Sequence, residues 1–255
     1  MTVENLDKIV ILDFGSQFAH LLANRVRRLG VYSEIVDAET PAAELAGEGY
    51  KGIIISGGPA SVNDPASPKV DPAIYELGIP VLGVCYGHQI TMVTLGGKVD
   101  KGTVGEYGLT TFEVEKAIGI LSKLEEGKIY SVYASHFDTV ADLPEGFEAV
   151  GSTPDDSLSA TANLERNIYT VQFHPEVTHT ECGMQILDAF IDITEASRDW
   201  SIEKFIEFEI AAIEKKAEGK KVFLLISGGV DSSVTYALLA EAVGNDRIYA
   251  MYVDT

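Results

Sequence analysis

The sequence predicts an α/β fold with a mixed, mostly parallel central sheet flanked by helices. Short apolar runs rich in β-branched residues recur along the chain and are continuous, as in strands buried on both faces. Segments with helical spacing separate these runs, as in the crossover connections of a parallel sheet. The chain has 255 residues, of which 46% are hydrophobic and 23% are charged. That length is sufficient for one or two domains with a well-buried core.

The predicted elements of the first domain follow one another in a regular order. A helical pattern over 18–29, closed by Gly30, separates the first two strands. From about 102 to 150 apolar and polar residues alternate, which predicts an antiparallel or mixed part of the sheet. A helix over about 183–193 closes the domain. The runs predicted as strands are 8–13, 31–36, 52–56, 79–84, 109–114, 129–133 and 167–173.

A second, shorter unit is predicted after a junction at 195–199. Its elements are an amphipathic helix at 201–218, a strand at 221–226, a helix ending near 243 and a strand at 247–253. A single β-α-β unit cannot cover both faces of its own sheet, so we expect an incomplete second α/β domain. We therefore divide the chain into a first domain (1–196), a linker helix (197–219) and the N-terminal fragment of a second domain (220–255).

The composition limits the possible partners and the compartment. Acidic residues number 39 and basic residues 19, and the net charge of −20 argues against nonspecific binding to nucleic acid or anionic membranes. No run of 18 apolar residues occurs, and Met1 to Asp7 lack the features of a signal peptide. Two cysteines, Cys85 and Cys182, are too few for a disulfide scaffold. We expect a cytoplasmic protein with reduced thiols.

Cys85 is the strongest catalytic candidate. It is the central residue of Gly83-Val84-Cys85-Tyr86-Gly87, which has the spacing of a nucleophile elbow with cysteine in place of serine. An apolar strand precedes Cys85 and a predicted helix follows it. The backbone N–H groups and positive dipole of that helix terminus favour a thiolate. A buried structural cysteine at the end of a strand is the alternative interpretation.

His174 and Glu176 are the candidate partners of Cys85. A cysteine nucleophile needs a base, and the base needs a group that orients it. Residues i and i+2 of an extended chain project to the same side, and Pro175 favours that conformation at His174. The pair follows an apolar strand, which is where open α/β sheets place their sites. A histidine that only ends the strand is the alternative, but the elbow makes catalysis the stronger hypothesis.

An oxyanion hole is also needed if the substrate is an amide. The backbone N–H groups of Gly58 and Tyr86 are the candidate donors. Gly58 lies in Ser56-Gly57-Gly58-Pro59, directly after a predicted strand, and Tyr86 follows the candidate nucleophile. Gly-Gly-Pro is weak evidence by itself, because the same tripeptide occurs in many ordinary loops.

A second candidate site is the segment Ser227-Gly228-Gly229-Val230-Asp231-Ser232-Ser233, between a predicted strand and a predicted helix. Glycines allow the backbone to approach a phosphate closely, and a helix N-terminus with hydroxyl groups favours an anion. The Gly-Lys-Ser/Thr ending of a Walker A sequence is absent. Asp231 would lie near bound phosphates, which suggests a bridging Mg²⁺. A glycine turn capped by Asp or Ser is the alternative, but the density of Ser and Gly favours phosphate binding.

Several of these motifs together resemble the N-terminal part of the glutamine-hydrolysing GMP synthase family, and the resemblance covers essentially the whole chain. It implies a class I glutamine amidotransferase domain followed by the start of an ATP-pyrophosphatase domain. The motifs that carry it are Ile11-Leu12-Asp13-Phe14-Gly15-Ser16-Gln17, the segment 56–62, Cys85-Tyr86-Gly87 with Gln89, Glu106-Tyr107-Gly108, the segment 171–180 and the segment 227–233.

The resemblance implies a role for each candidate residue of the first domain. Cys85 would attack the side-chain amide of glutamine, and His174, oriented by Glu176, would shuttle protons. Gly58 and Tyr86 would form the oxyanion hole through their N–H groups. Ammonia would leave, and water would cleave the resulting thioester to give glutamate.

The resemblance also implies substrate contacts and a second half-reaction. Gln89, Ser135 and His136 would bind glutamine. The segment 227–233 would bind ATP–Mg²⁺, which would adenylylate xanthosine monophosphate (XMP). Ammonia would then displace AMP to give GMP, with pyrophosphate released in the adenylylation. We expect the complete enzyme to be a homodimer through a C-terminal region that this chain lacks, and this chain to retain only the glutaminase half.

Two other functions stay open at this point. One is an amidotransferase that serves another acceptor, against which the segment 227–233 argues. The other is a noncatalytic glutamine-binding regulatory module, against which the intact Cys85, His174 and Glu176 argue. Two positions depart from the family pattern: His88 replaces a usual hydrophobic residue such as Met, and Phe137 replaces a common Gly.

Overall fold

The structure is a computed structural model that describes residues 6–252, apart from the side chains of Thr103 and Val104. The described chain divides into two compact units, one of residues 7–199 and one that contains residues 200–252. Val253, the last residue of the final predicted strand, lies outside the described residues. So do residues 1–5, which belong to the N-terminal segment that lacks the features of a signal peptide.

The larger unit is built on a nine-stranded mixed sheet, which confirms the predicted fold class. Its strands are β1 (Lys8–Asp13), β2 (Tyr32–Asp37), β3 (Tyr50–Ile55), β4 (Val81–Val84), β5 (Lys98–Val114), β6 (Ile129–Asp142), β7 (Glu148–Ser152), β8 (Ala160–Asn163) and β9 (Ile168–Val171). They lie in the order β2-β1-β3-β4-β9-β8-β7-β5-β6. The five strands from β2 to β9 are parallel, and the remaining pairs are antiparallel.

Helices cover both faces of the parallel part, and the residues of β1 show how. Ile9 and Ile11 belong to the apolar core on one face, whereas Val10 and Leu12 belong to the core on the other. Both faces are buried because successive side chains of a strand point to opposite sides. The helices of this unit are α1 (Ala19–Arg28), α2 (Ala42–Gly47), α3 (Tyr86–Thr94) and α4 (Gly183–Thr194). Among the helices of residues 6–252, none is long and apolar enough to cross a lipid bilayer.

The antiparallel part differs from the prediction in extent. Strands β5 and β6 form a long ribbon, of which the sequence pattern indicated only 109–114 and 129–133. Strands β7 and β8 were not predicted individually, since β8 consists of small and polar residues without an apolar run. The ladder between β5 and β6 is interrupted: Lys101 pairs with Asp138 and Glu106 pairs with His136. Three extra residues of β5 are therefore looped out at this point.

The second unit is a β-α-β arrangement preceded by a helix. Its elements are α5 (Ile202–Lys216), β10 (Val222–Ile226), α6 (Val230–Val243) and β11 (Ile248–Tyr252). The hydroxyl of Ser201 accepts a hydrogen bond from the backbone N–H of Lys204 and so caps α5. Strands β10 and β11 are parallel. Phe223 and Leu225 of β10 have their side chains exposed within the described residues, as do Tyr249 and Met251 of β11.

The turn between β4 and α3 places Cys85 in a strained conformation. Its φ is +54° and its ψ is −107°, values that L-residues rarely adopt. Glycines on each side allow the turn: a Cβ at Gly83 would lie 2.5 Å from the carbonyl oxygen of Gly87, and one at Gly87 would lie 2.1 Å from that of Ile55. The strand, turn and helix are therefore in backbone contact, which is the structure predicted for a nucleophile elbow.

We expect Gly87→Ala to lower the free energy of unfolding by about 3 kcal/mol or more, because the added methyl group can only be accommodated by moving α3 or β3. Gly47→Ala is the matched control: a Cβ there meets no atom within 4 Å, and alanine favours the helix. Urea unfolding followed by circular dichroism measures both changes. Equal stabilities of the two variants would contradict the close approach at the elbow.

Candidate active site

A cavity of about 760 Å³ opens at the carboxyl ends of four parallel strands. The segment 15–18 follows β1, and 58–61 follows β3. Cys85 follows β4 directly, and His174 comes shortly after β9. Open α/β sheets place ligands at this edge because the loops that follow the strands converge there. On its antiparallel side the cavity is lined by residues 135–138 of β6.

The structure brings Cys85, His174 and Glu176 together in this cavity. His174 Nδ1 lies 2.8 Å from Glu176 Oε1, and the imidazole also hydrogen-bonds the Cys85 side chain. Because Nδ1 faces the carboxylate, the other ring nitrogen is the one available to the sulfur. The ring of Phe18 lies edge-on to the imidazole, with the centroids 5.2 Å apart, and restricts its rotation. The arrangement has the geometry of a nucleophile, a base and a group that orients the base.

The electrostatics of the three residues favour a charged imidazole. Burial disfavours the imidazolium, but hydrogen bonds and negative charge from Cys85 and Glu176 outweigh it and raise the pKa of His174 to about 10. Glu176 is fully buried, and its second oxygen, Oε2, has no partner among the described residues. A buried carboxylate beside one histidine is therefore committed to that histidine.

Arg25 of α1 holds the segment that carries Glu176. Its Nε donates to the backbone carbonyl of Glu176 at 2.9 Å, and its Nη2 donates to the hydroxyl of Thr178 at 3.2 Å. Thr180 holds the other partner, since its hydroxyl donates to the backbone carbonyl of His174 at 2.6 Å. The sequence analysis missed the role of Arg25, because 151 residues separate it from Glu176 and no local pattern links them.

Gly58 and Tyr86, the predicted oxyanion-hole residues, both line the cavity with Cys85. A Cβ at Gly58 would lie 2.4 Å from the carbonyl oxygen of Phe14, so the backbone passes there without room for a side chain. The neighbouring Gly57 is also constrained, since its Cβ would lie 3.1 Å from His174 Cε1. The role of Gly58 and Tyr86 as oxyanion donors remains a prediction.

Gln89, Ser135 and His136 also line the cavity. Gln89 Nε2 donates to the backbone carbonyl of Asp138 at 2.8 Å and to Gln172 Oε1 at 3.0 Å. The carbonyl oxygen of Ser135 lies 3.7 Å from Cys85 Sγ. The ring nitrogens of His136 face protein oxygens and not the open space of the cavity. Gln172 belongs to the motif at 171–180, but its contact with Gln89 was not predicted.

His88 lies next to this site and is fully buried in α3. Its Nδ1 is 2.6 Å from the hydroxyl of Thr170, and its Nε2 has no partner among the described residues. Burial, helped by the charge of His136, lowers the pKa of His88 to about 3. His88 is therefore neutral throughout the physiological range. Among the described residues no carboxylate hydrogen-bonds its ring to counteract burial, in contrast to His174.

The segment 227–233 lies between β10 and α6, as the sequence predicts. Gly228 has a φ of +79°, and Gly229 precedes the first residue of α6. The hydroxyls of Ser232 and Ser233 both donate to the backbone carbonyl of Gly229, at 3.0 and 2.9 Å. Glycines in an exposed turn before a helix of 14 residues are compatible with a bound phosphate.

Comparison with known proteins places the larger unit in a family. Residues 10–193 match the family described as glutamine amidotransferase class-I. The chain therefore belongs to the class I glutamine amidotransferases. A crystal structure assigned to the amidotransferase-sized polypeptide of a GMP synthase from Thermoplasma acidophilum has 29% sequence identity and a TM-score of 0.65, and the match covers 75% of this chain and 95% of that one.

Longer relatives match the chain beyond the family boundary. The GMP synthase [glutamine-hydrolyzing] of Lactococcus lactis subsp. cremoris is 43% identical over 255 residues, which is all of this chain and 49% of that protein. The enzyme of the same name from Staphylococcus carnosus is 45% identical over 249 residues, 97% of this chain and 48% of that protein. The chain thus spans less than half the length of these curated relatives.

We expect Glu176→Gln to lower the pKa of His174 from about 10, because the variant removes one of the two anionic partners that oppose the effect of burial. An NMR titration of the imidazole measures the change. Glu165→Gln, an exposed carboxylate in the loop before β9, is the control and should leave the titration unchanged. An unaltered pKa in Glu176→Gln would show that Cys85 alone holds the imidazolium.

His88→Met should reduce the acid sensitivity of the fold. Between pH 6.5 and pH 3 the unfolded chain protonates His88 and the folded chain does not, so the free energy of unfolding falls as the pH is lowered through this window. The loss amounts to about 2 kcal/mol at pH 5 and is absent from the variant. Urea unfolding at pH 7 and pH 5 measures it, with His20→Gln, an exposed histidine, as control. Parallel pH profiles of wild type and His88→Met would refute the argument.

Proposed function

We propose that this chain is the glutamine-hydrolysing part of a GMP synthase. The observation that carries the proposal is the arrangement of Cys85, His174 and Glu176 at a cavity formed by the ends of parallel strands. Membership of the class I glutamine amidotransferases supports glutamine as the substrate. A cavity of about 760 Å³ has room for an amino acid of this size.

The first half of the reaction uses the charged pair of Cys85 and His174. The sulfur of Cys85 attacks the side-chain carboxamide carbon of glutamine, and a C–S bond forms. Negative charge develops on the carboxamide oxygen, where the N–H groups of Gly58 and Tyr86 stabilise it. His174 donates its proton to the leaving nitrogen, which departs as ammonia and leaves a thioester on Cys85. Glu176 stabilises the imidazolium until that transfer.

The second half returns the enzyme to its starting state. His174, now neutral, accepts a proton from water as the water oxygen attacks the thioester carbon. The C–S bond breaks, glutamate is released, and the proton remains on His174 beside the Cys85 thiolate. Glu176 keeps Nδ1 of the ring occupied throughout, so that the same nitrogen donates and accepts the proton.

The extent of the similarity favours GMP synthase over an amidotransferase for another acceptor. The family match ends at residue 193, but the relatives named GMP synthase match through the second unit, including the segment 227–233. The residues of that segment fit ATP–Mg²⁺: the glycines leave space for phosphates, the start of α6 favours an anion, and Asp231 would hold the metal. ATP would supply the adenylyl group that activates XMP, and AMP and pyrophosphate would leave. A homodimeric, cytoplasmic enzyme is part of the same proposal.

We expect the chain to release glutamate from glutamine slowly and Cys85→Ala to release none, because the variant lacks the atom that forms the thioester. Cys182→Ala is the matched control. This second cysteine lies in the core, where burial raises the pKa of its thiol to about 12 and keeps it unreactive. Labelling by a chloroketone analogue of glutamine provides a second measurement: wild type and Cys182→Ala should form the adduct, and Cys85→Ala should not.

The outcomes separate the alternatives. An adduct on Cys85 without turnover indicates a glutaminase that waits for its acceptor, and a complete chain assayed with ATP and XMP should then release glutamate and form GMP. No adduct on folded wild type would contradict the glutaminase and favour a noncatalytic binding module. Glutaminase activity in a complete chain that does not convert XMP would instead indicate an amidotransferase for another acceptor.

A further inference from the structure

The segment 135–138 of β6 forms one wall of the cavity, and its position depends on an interrupted ladder. The carbonyl of Ser135 lies beside Cys85 Sγ, and all four residues line the cavity. At this point the pairing of β5 with β6 is broken, since Lys101 pairs with Asp138 and Glu106 with His136. The looped-out residues of β5 cannot continue the backbone ladder, so other contacts must hold the wall in place.

A buried pair of side chains bridges the interruption. His136 Nε2 lies 3.0 Å from Glu106 Oε2, and the side chains are only 3% and 5% exposed. His136 Nδ1 lies 3.1 Å from the backbone carbonyl oxygen of Asp138. Both ring nitrogens therefore face oxygen acceptors, and the ring is fixed at two points. Neither nitrogen is left to contact a ligand in the cavity.

Glu106 is itself held rigidly. The hydroxyl of Thr153 donates to Oε2 at 2.9 Å, and the hydroxyl of Thr110 donates to Oε1 at 3.0 Å. Burial opposes the carboxylate, but the hydrogen bonds from His136, Thr153 and Thr110 outweigh it and keep the pKa of Glu106 below its ordinary value. A buried carboxylate with donors on both oxygens is a fixed anchor for the histidine.

The inward-facing residues of β6 show that this polar pair is local to the cavity. Val132, Ala134 and Val140 point inward and are apolar, as expected of a strand that packs on a core. Only His136 and Asp138, between them, are polar and buried. A buried ion pair contributes little net stability compared with apolar side chains of the same volume. The pair is therefore better explained by the position it imposes than by stability.

We propose that Glu106 and His136 are positioning residues that hold the segment 135–138 as the substrate-facing wall of the cavity. The inference rests on the proposed glutaminase function for the identity of the substrate. Glu106 acts through His136, and His136 acts through the backbone of Ser135 and Asp138; neither side chain contacts glutamine. Gln89 supports the same wall from α3, through its hydrogen bond to the carbonyl of Asp138.

Glu106→Gln keeps the size of the side chain and removes its charge, so the wall loses its anchor while Cys85 and His174 are untouched. We expect the KM for glutamine to rise about ten-fold and kcat to change less than about three-fold, as for the loss of a charge-assisted hydrogen bond on the binding side. Labelling by the chloroketone analogue of glutamine should slow by a similar factor. Alkylation of Cys85 by iodoacetamide, which needs no substrate wall, should keep its rate. Glu113→Gln, an exposed carboxylate on the same strand, is the matched control.

Three results would overturn the inference. They are an unchanged rate of chloroketone labelling in Glu106→Gln, an equal slowing of both reagents, and the same change in the Glu113→Gln control. If Glu106→Gln fails to fold, Thr153→Val removes only one donor to Glu106 and should give a smaller change in the same direction; no change in that variant would also overturn it. Wild type that reacts with iodoacetamide at Cys85 but not with the chloroketone would instead refute the proposed glutaminase.

Discussion

The close approach of α3 to the ends of β3 and β4 is the constraint on which the site depends. The backbone carbonyl of Ile55 lies where a side chain at residue 87 would be, so only glycine permits the helix to begin directly after the nucleophile. Cys85 is left in a conformation that the surrounding backbone must enforce. The sulfur is thereby held at the mouth of the cavity and at the start of α3, where the helix dipole favours negative charge.

The remaining parts of the site are placed by elements that are far apart in the chain. His174 and Glu176 follow β9, which pairs with β4, so the parallel pairing of these two strands sets the distance between base and nucleophile. Arg25 of α1 fixes the backbone of Glu176, and α1 packs on the same face of the sheet as the core that contains Cys85. The sheet thus determines the distances, and hydrogen bonds to the backbone determine the orientations.

The sequence predicted the residues whose role is encoded locally. The elbow around Cys85 and the His-x-Glu arrangement at 174–176 could be predicted because glycine spacing and strand periodicity are short-range patterns. The contacts of Gln89 with Gln172 and of Glu106 with His136 could not, since they depend on strand order and on an interrupted ladder. The short strand β8 was also missed, because its four buried residues are small or polar and lack an apolar run.

His88 and His174 show why the residue type alone does not determine function at such a site. Both are buried, and burial by itself lowers the pKa of either ring. Glu176 and Cys85 reverse the effect at His174, whereas His88 hydrogen-bonds only the hydroxyl of Thr170 among the described residues and remains neutral. The two rings occur within the same fold, next to strands that pair with each other. The difference between a charged base and an inert core residue is therefore set by whether an anion is directed at the ring, and the carboxylate two residues after His174 is the sequence feature that marks it.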